Sequence, residues 1–351
     1  MRVLHVMAGS QVGGAEAFFE RLVLKTHQRG KVEQRALIRH YPARTALLMQ
    51  EGVPVTTAPF MGWWDLTTHL RLRALIREFK PDIIMAWMGR AASFLPAKTT
   101  AVKLGRLGGY YAMKRFHYCD HLIGNTPDIV AKLIKGGWPE VKVSYVPNFV
   151  SVTPAPAADR ALYQTPTDVP LVLALGRYHP VKGFDMLLEA LSKIPDAWLW
   201  LVGEGAEAQA LKEQATALGI VERVRFLPWQ HDPSPLYAAA NVVVCASRHE
   251  PLGNVILEAW AAGTPIISTP VEGPSFLIAQ GKTGWLSHDV SSAAIAVCLN
   301  EVLADKESAM KVAQAGQDYY QEHFSEERVL DHYHVLWAEK VKDGLRHGER
   351  A

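Results

Sequence analysis

The stretch NVVVCASRHEPLGNVILEAWAAGTPIIS, residues 241–268, decides the fold. NVVVCAS is a continuous apolar run, the pattern of a strand buried on both faces. RHEP lies at the carboxyl end of that strand. Residues 255–262 read as a helix, and Ala-Ala-Gly-Thr-Pro closes it before a β-branched strand over 265–268. Strand, helix, strand in this order predicts parallel pairing. The stretch also places two carboxylates eight positions apart: Glu250 ahead of the helix and Glu258 inside it.

Pro251 suits an early helix position, because the N–H it lacks would be orphaned there anyway. The amides of Leu252, Gly253 and Asn254 then become donors at a helix N-terminus, an end that binds phosphates, carboxylates or sugar hydroxyls. Gly253 lets a ligand approach the backbone closely. Glu250 stands beside those donors and can accept from sugar hydroxyls. Glu258 can accept from two vicinal hydroxyls, as a carboxylate does on a ribose. The plain alternative is a loop charge and a solvated helix residue. Against it, Glu258 is flanked by VIL and AWAAG, which read as buried, and a buried carboxylate needs partners.

The same alternation runs outward in both directions. Strands are predicted over 3–7, 34–38, 53–57, 82–85, 121–124 and 142–146, with helices over 15–28, 67–79 and 128–135. Prolines and small residues over 146–170 read as a linker. A second series places strands over 171–175, 198–202, 224–226, 242–245, 265–268 and 284–286, and helices over 184–193, 206–218, 255–262 and 291–303. Two doubly wound α/β domains are expected, 1–155 and 156–324, with ligands at the carboxyl ends of strands and in the cleft between domains. Residues 325–351 read as a long amphipathic helix with its apolar stripe on Val329, Leu330, Tyr333, Trp337 and Val341, packing back on the first domain.

Composition narrows the class. The chain has 351 residues, 49% hydrophobic and 21% charged, and a net charge of +2. Nothing in that balance calls for nucleic acid. Three scattered cysteines imply no disulfide framework and suit a reducing cytoplasm. The first apolar run is too short for a signal peptide, and no run of 18 apolar residues is present. His117, Cys119 and His121 alternate like a metal trio in composition only, and no second cluster supports them.

Other stretches carry chemistry. In LGRYHPVKGFD (175–185), Gly176, Arg177 and Lys182 follow a buried strand and precede a helix. Two cations in one turn suit a diphosphate, whose charge grows as it leaves. The alternative is a solvated loop with a cap. In SQVGGAEAFFERL (10–22), Gly13 and Gly14 permit positive φ and close approach to a phosphate, without forming G-x-G-x-x-G. Residues 98–117 are basic and aromatic, fitting an anionic membrane surface, a phosphorylated acceptor or an ordinary solvated face. Trp63 and Trp64 are candidates for an acceptor groove or the core, and Arg90 follows a strand toward the cleft.

Glu250 and Glu258 together resemble the E-x7-E motif of retaining GT-B glycosyltransferases of the glycosyltransferase family 4 group. GGAEAFFERL, LGRYHPVKGFDMLLEAL, LVGEGAE, VRFLPW, the 247–267 stretch and GKTGWL resemble that family's landmarks in order and spacing, across nearly the whole chain. The resemblance implies the GT-B fold, two Rossmann-like domains facing across a cleft. It implies a retaining transfer of a sugar from a nucleotide-sugar to a hydroxyl. Arg177 and Lys182 are assigned to the donor diphosphate, and Glu258 to the ribose. Glu250, with Pro251, Leu252, Gly253, Asn254 and Val255, is assigned to the donor sugar. Gly176, Gly13 and Gly14 fall near the phosphates, and Leu227 near the base through its backbone. Many relatives place a histidine where this chain has Arg106, Gly108 and Gly109. No protein base is therefore named, and Arg106 joins Arg90 as an acceptor candidate. The absence of D-x-D argues against a metal-bound diphosphate. The expected donor is a UDP-sugar without metal, and the expected acceptor is a glycan or glycolipid of the cell envelope, such as a lipopolysaccharide core. The expected location is the cytoplasm, with peripheral contact to the inner membrane face through 98–117. A nucleotide-sugar epimerase and a transferase with a soluble acceptor are the alternatives.

Overall fold

The computed structural model describes residues 1–11, 13–62 and 64–348. The chain divides into two compact units, residues 1–149 with 326–351 and residues 150–325. Trp63 lies outside the described residues.

The first unit runs β1 (Arg2–Met7), α1 (Gly14–Gln28), β2 (Glu33–Arg39), α2 (Pro42–Gln50), β3 (Val55–Ala58), α3 (Leu66–Phe79), β4 (Ile83–Trp87), α4 (Met88–Ala92), β5 (Val102–Leu107), β6 (His121–Gly124), α5 (Pro127–Lys135) and β7 (Val143–Tyr145). Its seven strands pair in the order β3-β2-β1-β4-β5-β6-β7, all parallel. Alternate residues of β1 enter opposite cores: Val3 and Met7 pack with Phe18 and Trp87, while Leu4 and Val6 pack with Leu72 and Ile84.

The second unit runs β8 (Leu171–Leu175), α6 (Phe184–Ser192), β9 (Trp198–Val202), α7 (Ala208–Ala217), β10 (Val224–Leu227), α8 (Ser234–Ala239), β11 (Val242–Cys245), α9 (Asn254–Ala262), β12 (Ile266–Ser268), α10 (Glu272–Leu277), β13 (Trp285–Leu286), α11 (Ser292–Ala304) and α12 (Lys306–His323). Its order is β10-β9-β8-β11-β12-β13, again parallel. The final helix, α13 (Glu326–Gly348), belongs to the first unit. It buries Val329, Leu330, Tyr333, Leu336 and Trp337 in the core that holds Phe18 and Phe149.

The stretch read as a basic face, 98–117, is corrected by β5. Lys103 and Arg106 are 7% and 1% exposed. Lys103 Nζ donates to the Ala97 carbonyl at 3.1 Å. Arg106 Nε donates to the Tyr333 hydroxyl at 3.2 Å, its terminal nitrogen donates to Asn148 Oδ1, and its guanidinium lies 4.4 Å from the Phe18 ring centroid. Such contacts let a cation enter a core. Only Lys98, Lys114 and Arg115 keep exposed charge in that stretch.

A buried histidine sits in the middle of β1. The Trp87 indole N–H can only donate, and it donates to His5 Nδ1 at 3.3 Å. The ring proton is therefore on Nε2, which donates to Gln34 Oε1 at 2.9 Å. Burial pulls the His5 pKa down to about 4, against the smaller upward effect of Gln34. Above pH 6.5 the ring is neutral both folded and unfolded and adds no pH dependence. As pH falls from 6.5 to 4, only the unfolded chain takes up the proton, so stability is lost, up to about 3 kcal/mol. Denaturant titrations from pH 7.5 to 5 should show this fall, and His5→Asn should make it shallower, leaving the part due to His121, whose pKa burial also lowers to about 4. A wild-type profile flat to pH 5 would contradict the buried neutral ring.

Candidate functional site

In a doubly wound sheet the loops at the carboxyl ends of the two strands flanking the order reversal form the binding crevice. In the second unit these strands are β8 and β11. They are followed by the 176–183 turn and the 246–253 loop, the two stretches that the sequence singles out.

The turn after β8 is folded locally and then clamped. Val181 N–H donates to His179 Nδ1 at 3.2 Å, and Gly183 takes φ 64°. A Cβ on Gly183 would lie 2.0 Å from the Ala246 carbonyl oxygen, so the turn rests directly on the other loop. Arg248 fastens the two together. Its N–H donates to the Val181 carbonyl at 2.8 Å, and its guanidinium donates to both oxygens of Asp185 at 2.7 and 2.6 Å. The hydrogen bonds from Arg248 hold the Asp185 carboxyl below the usual range.

This clamp sets Lys182 Nζ 2.5 Å from Glu250 Oε2, which also accepts from Ser247 Oγ at 3.2 Å. Burial pulls the Lys182 pKa down, but the adjacent Glu250 carboxylate outweighs it and the net shift is upward. Lys182 is a fixed cation at neutral pH. Arg177 is exposed, near Lys182, and has no hydrogen-bond or ion-pair partner among the described residues. Gly176 N–H donates to the Val202 carbonyl, and the Leu227 carbonyl accepts from Gly203 N–H, both at 3.0 Å.

Helix α9 begins at Asn254, one residue before the predicted range, but Pro251 does not take the early helix position its residue type suits. Pro251 lies ahead of the helix, Leu252 is buried, and Gly253 is the N-cap at φ 91°, a left-handed backbone that favours glycine. Ile256 N–H is taken by the Gly253 carbonyl at 2.9 Å. The positive helix end is therefore built from Asn254 and Val255, and Pro251 serves the approach loop. Glu258 is half-buried, and the hydroxyl of fully buried Tyr237 donates to its Oε2 at 2.7 Å. Burial first, and the Glu258 charge second, push the Tyr237 pKa well above its usual value, so it stays a donor.

In the first unit the reversal lies between β1 and β4. The loop after β1 is held by two buried charges. Glu16 accepts from Ser10 N–H at 2.7 Å and from Ser10 Oγ at 3.1 Å. Arg44 donates to the carbonyls of Ser10 and Gln11 at 3.0 and 2.9 Å and to Glu20 Oε1 at 2.6 Å. Gly13 has φ 169°, an extended backbone, and Gly14 opens α1; neither takes the positive φ expected of them. A Cβ at 13 would lie 2.3 Å from Glu16 Oε2, so a larger residue there would displace the Glu16 carboxylate that holds Ser10. After β4, Met88 takes φ 63°, a strained value for a side-chain-bearing residue. That bend starts α4, which carries the exposed Arg90. Arg106, in the core, does not reach a surface. Among the described residues no group of three or more His, Cys, Asp or Glu is placed to hold a metal ion.

Five residues that shape these loops escape the sequence reading: Glu16, Arg44, Asp185, Tyr237 and Arg248. Glu16, Asp185 and Arg248 stand inside the quoted motifs. Their partners are the missing signal, since the Arg248–Asp185 pair spans 63 residues.

Two parallel Rossmann-like units with charged loops at their reversal points define the GT-B class, and comparison with known proteins agrees. A family model described as "Glycosyl transferases group 1" matches residues 157–319. The lipopolysaccharide core biosynthesis glycosyltransferase LpsE of Rhizobium meliloti is 38% identical, over 97% of this chain and 100% of that protein. LpsD of the same organism is 35% identical, over 97% and 99%. The crystal structure of Anabaena Alr3699/HepE in complex with UDP and glucose superposes with a TM-score of 0.82 at 21% identity, covering 97% of this chain and 100% of that one. The chain belongs to the group 1 glycosyltransferases and has the GT-B fold.

The close seat of the 176–183 turn generates a stability prediction. Gly183→Ala should destabilise the second unit by at least ~2 kcal/mol, through the left-handed backbone and the collision with Ala246. Urea denaturation followed by tryptophan fluorescence measures this. An unchanged midpoint would mean that the turn does not need its present seat.

Proposed function

We propose that this glycosyltransferase moves a sugar from a UDP-sugar to a hydroxyl of a cell-envelope glycan, with retention at the anomeric carbon. The observation that carries this reading is the Lys182–Glu250 pair at the carboxyl edge of the β8–β11 reversal, with Arg177 beside it. Arg177 and Lys182 neutralise the diphosphate as its bond to the anomeric carbon breaks. Glu250 and the α9 end at Asn254 and Val255 hold the hydroxyls of the donor sugar. Glu258, oriented by Tyr237, accepts from the ribose hydroxyls. Gly13 and Gly14 serve the donor from the first unit, and Arg90 contacts the acceptor. The acceptor oxygen bonds to the anomeric carbon and passes its proton to the departing phosphate, so no side chain is assigned as base and no metal is required.

The names of LpsE and LpsD support a lipopolysaccharide core as the acceptor, and the UDP held by HepE supports the donor base. Among the described residues no helix is long and apolar enough to cross a membrane. We place the reaction at the inner face of the cytoplasmic membrane, with Lys98, Lys114 and Arg115 contributing to contact there.

Two measurements test this reading. Arg177→Ala and Lys182→Met should each lower turnover by about 10²–10³-fold with melting temperature retained, as expected for loss of one transition-state contact. Near-normal turnover would remove both from the diphosphate. Thermal stabilisation by UDP should exceed that by 2′-deoxy-UDP, and Glu258→Ala should erase the difference. Tyr237→Phe should keep the fold and shrink the difference. If Glu258→Ala still discriminates the two nucleotides, the ribose assignment is wrong.

A further inference from the structure

A third loop meets the one that carries Glu250. Strand β12 pairs beside β11, and the chain leaving it over residues 269–273 runs against the 246–253 loop. Thr269 N–H donates to the Cys245 carbonyl at 3.1 Å, and Thr269 Oγ1 donates to the Ser247 carbonyl at 2.5 Å. Gly273 N–H donates to the Glu250 carbonyl at 2.9 Å. A Cβ on Gly273 would lie 2.4 Å from the Leu252 carbonyl oxygen and 2.7 Å from that of Glu250, so the first turn of α10 rests directly on this backbone.

Glu272 adds a side chain to this seat. Its Oε1 accepts from His249 Nδ1 at 2.7 Å, and its Oε2 accepts from Glu250 N–H at 3.4 Å. Burial pushes the Glu272 pKa up, but hydrogen bonds from its own N–H, the His249 ring and the Glu250 N–H outweigh it, and the net shift is downward. Glu272 is therefore an anion at neutral pH. A carboxylate only accepts, so Nδ1 of His249 carries the proton of that contact in the neutral ring as in the charged one. Consecutive residues of α10 thus hold both polar groups of the Glu250 main chain, Glu272 the N–H and Gly273 the carbonyl. The Glu250 carboxylate is held separately, by Lys182 Nζ at 2.5 Å and Ser247 Oγ at 3.2 Å.

We propose that Glu272 is a positioning residue for donor recognition: with His249 it fixes the main chain of Glu250, so that the Glu250 carboxylate stays aimed at the donor sugar once the diphosphate has drawn Lys182 away. The two sets of bonds respond differently to the donor. A diphosphate competes for the Lys182 ammonium and removes that anchor. It does not compete for the bonds to the Glu250 main chain, which involve neither Lys182 nor Arg177. A binding group keeps its aim only when the residues around it hold its own geometry. Glu272 does this with two acceptor oxygens on two successive residues, so the loop cannot turn at Glu250 without breaking one bond. An amide at position 272 has a single acceptor oxygen for two donors and cannot replace the carboxylate. Glu272 acts through Glu250 and is not placed on the sugar itself. The inference rests on the proposed role of Glu250 at the donor sugar.

Equilibrium binding of nucleotides to the full chain tests it. The probe is whichever of UDP-glucose, UDP-galactose and UDP-N-acetylglucosamine the parent binds most tightly, and UDP is the control, because its contacts do not pass through Glu250. Glu250→Ala sets the reference, a loss of affinity for the probe with UDP retained. Glu272→Gln should reproduce most of that loss, about tenfold, again with UDP affinity retained. Both side chains of the His249–Glu272 pair are half-exposed, so the melting temperature should hardly move. The double variant should bind the probe no more weakly than Glu250→Ala alone. His249→Asn, whose amide can donate from the place of Nδ1, should keep most of the parent's affinity for the probe, and His249→Leu should not. If Glu250→Ala loses the probe while Glu272→Gln keeps it, or Glu272→Gln weakens UDP and the probe equally, the positioning role is overturned and the role of Glu250 stands. If the parent binds none of the three, or Glu250→Ala binds the probe like the parent, the sugar assignment of Glu250 fails and takes the inference with it.

Discussion

Parallel pairing is the constraint on which the rest depends. Parallel strands cannot be joined by a tight hairpin, so each crossover runs back over the sheet and every strand ends on the same edge. Order reversal between β1 and β4, and between β8 and β11, then opens one crevice per sheet. Much of the chemistry read from the sequence is attached to those edges. Gly13 and Arg90 follow β1 and β4, while Arg177, Lys182 and Glu250 follow β8 and β11. Two loops 70 residues apart in sequence meet because β8 and β11 pair directly, with Val242 opposite Val172.

Topology brings the loops together but does not fix their side chains. That is done by charged residues bonded to the loop backbones. Arg248 holds the 180–185 turn through a carboxylate and two carbonyls. Glu16 and Arg44 hold the loop after β1 from opposite sides, one accepting from Ser10 and the other donating to Ser10 and Gln11. A buried charge is costly unless fully hydrogen-bonded. Glu16 and Arg44, both buried, are satisfied only when the loop after β1 adopts the observed shape, so the cost of burial itself selects against other conformations of that loop.

The same physics explains what the sequence makes legible. The strands over 171–175, 198–202 and 242–245 are unbroken apolar runs, and the structure places β8, β9 and β11 on those residues. Strand β5 is hidden because Lys103, Gly105 and Arg106 interrupt its apolar pattern. Its cations are satisfied by Ala97, Asn148 and Tyr333, the last of them 227 residues away, and no local window contains that information. Helix α2 was legible and missed, since Pro42 occupies its first turn. The candidate site was legible as residue types at strand ends. The start of α9 was not, because proline and glycine both suit a helix entry, and only the left-handed backbone at Gly253 settles which one caps it.

The Lys182–Glu250 pair carries the tension between stability and chemistry. A half-buried ion pair is weak evidence for stabilisation, because desolvation offsets much of the attraction. Without Glu250, burial would lower the Lys182 pKa and weaken its hold on its proton; with Glu250, the net shift is upward. In the proposed reaction both partners are already in place before the donor arrives. As the diphosphate enters, it competes with Glu250 for the Lys182 ammonium, which frees carboxylate lone pairs for the sugar hydroxyls. The pair thus lets an empty site hold a cation and an acceptor close together, each satisfied by the other until substrate takes over both roles.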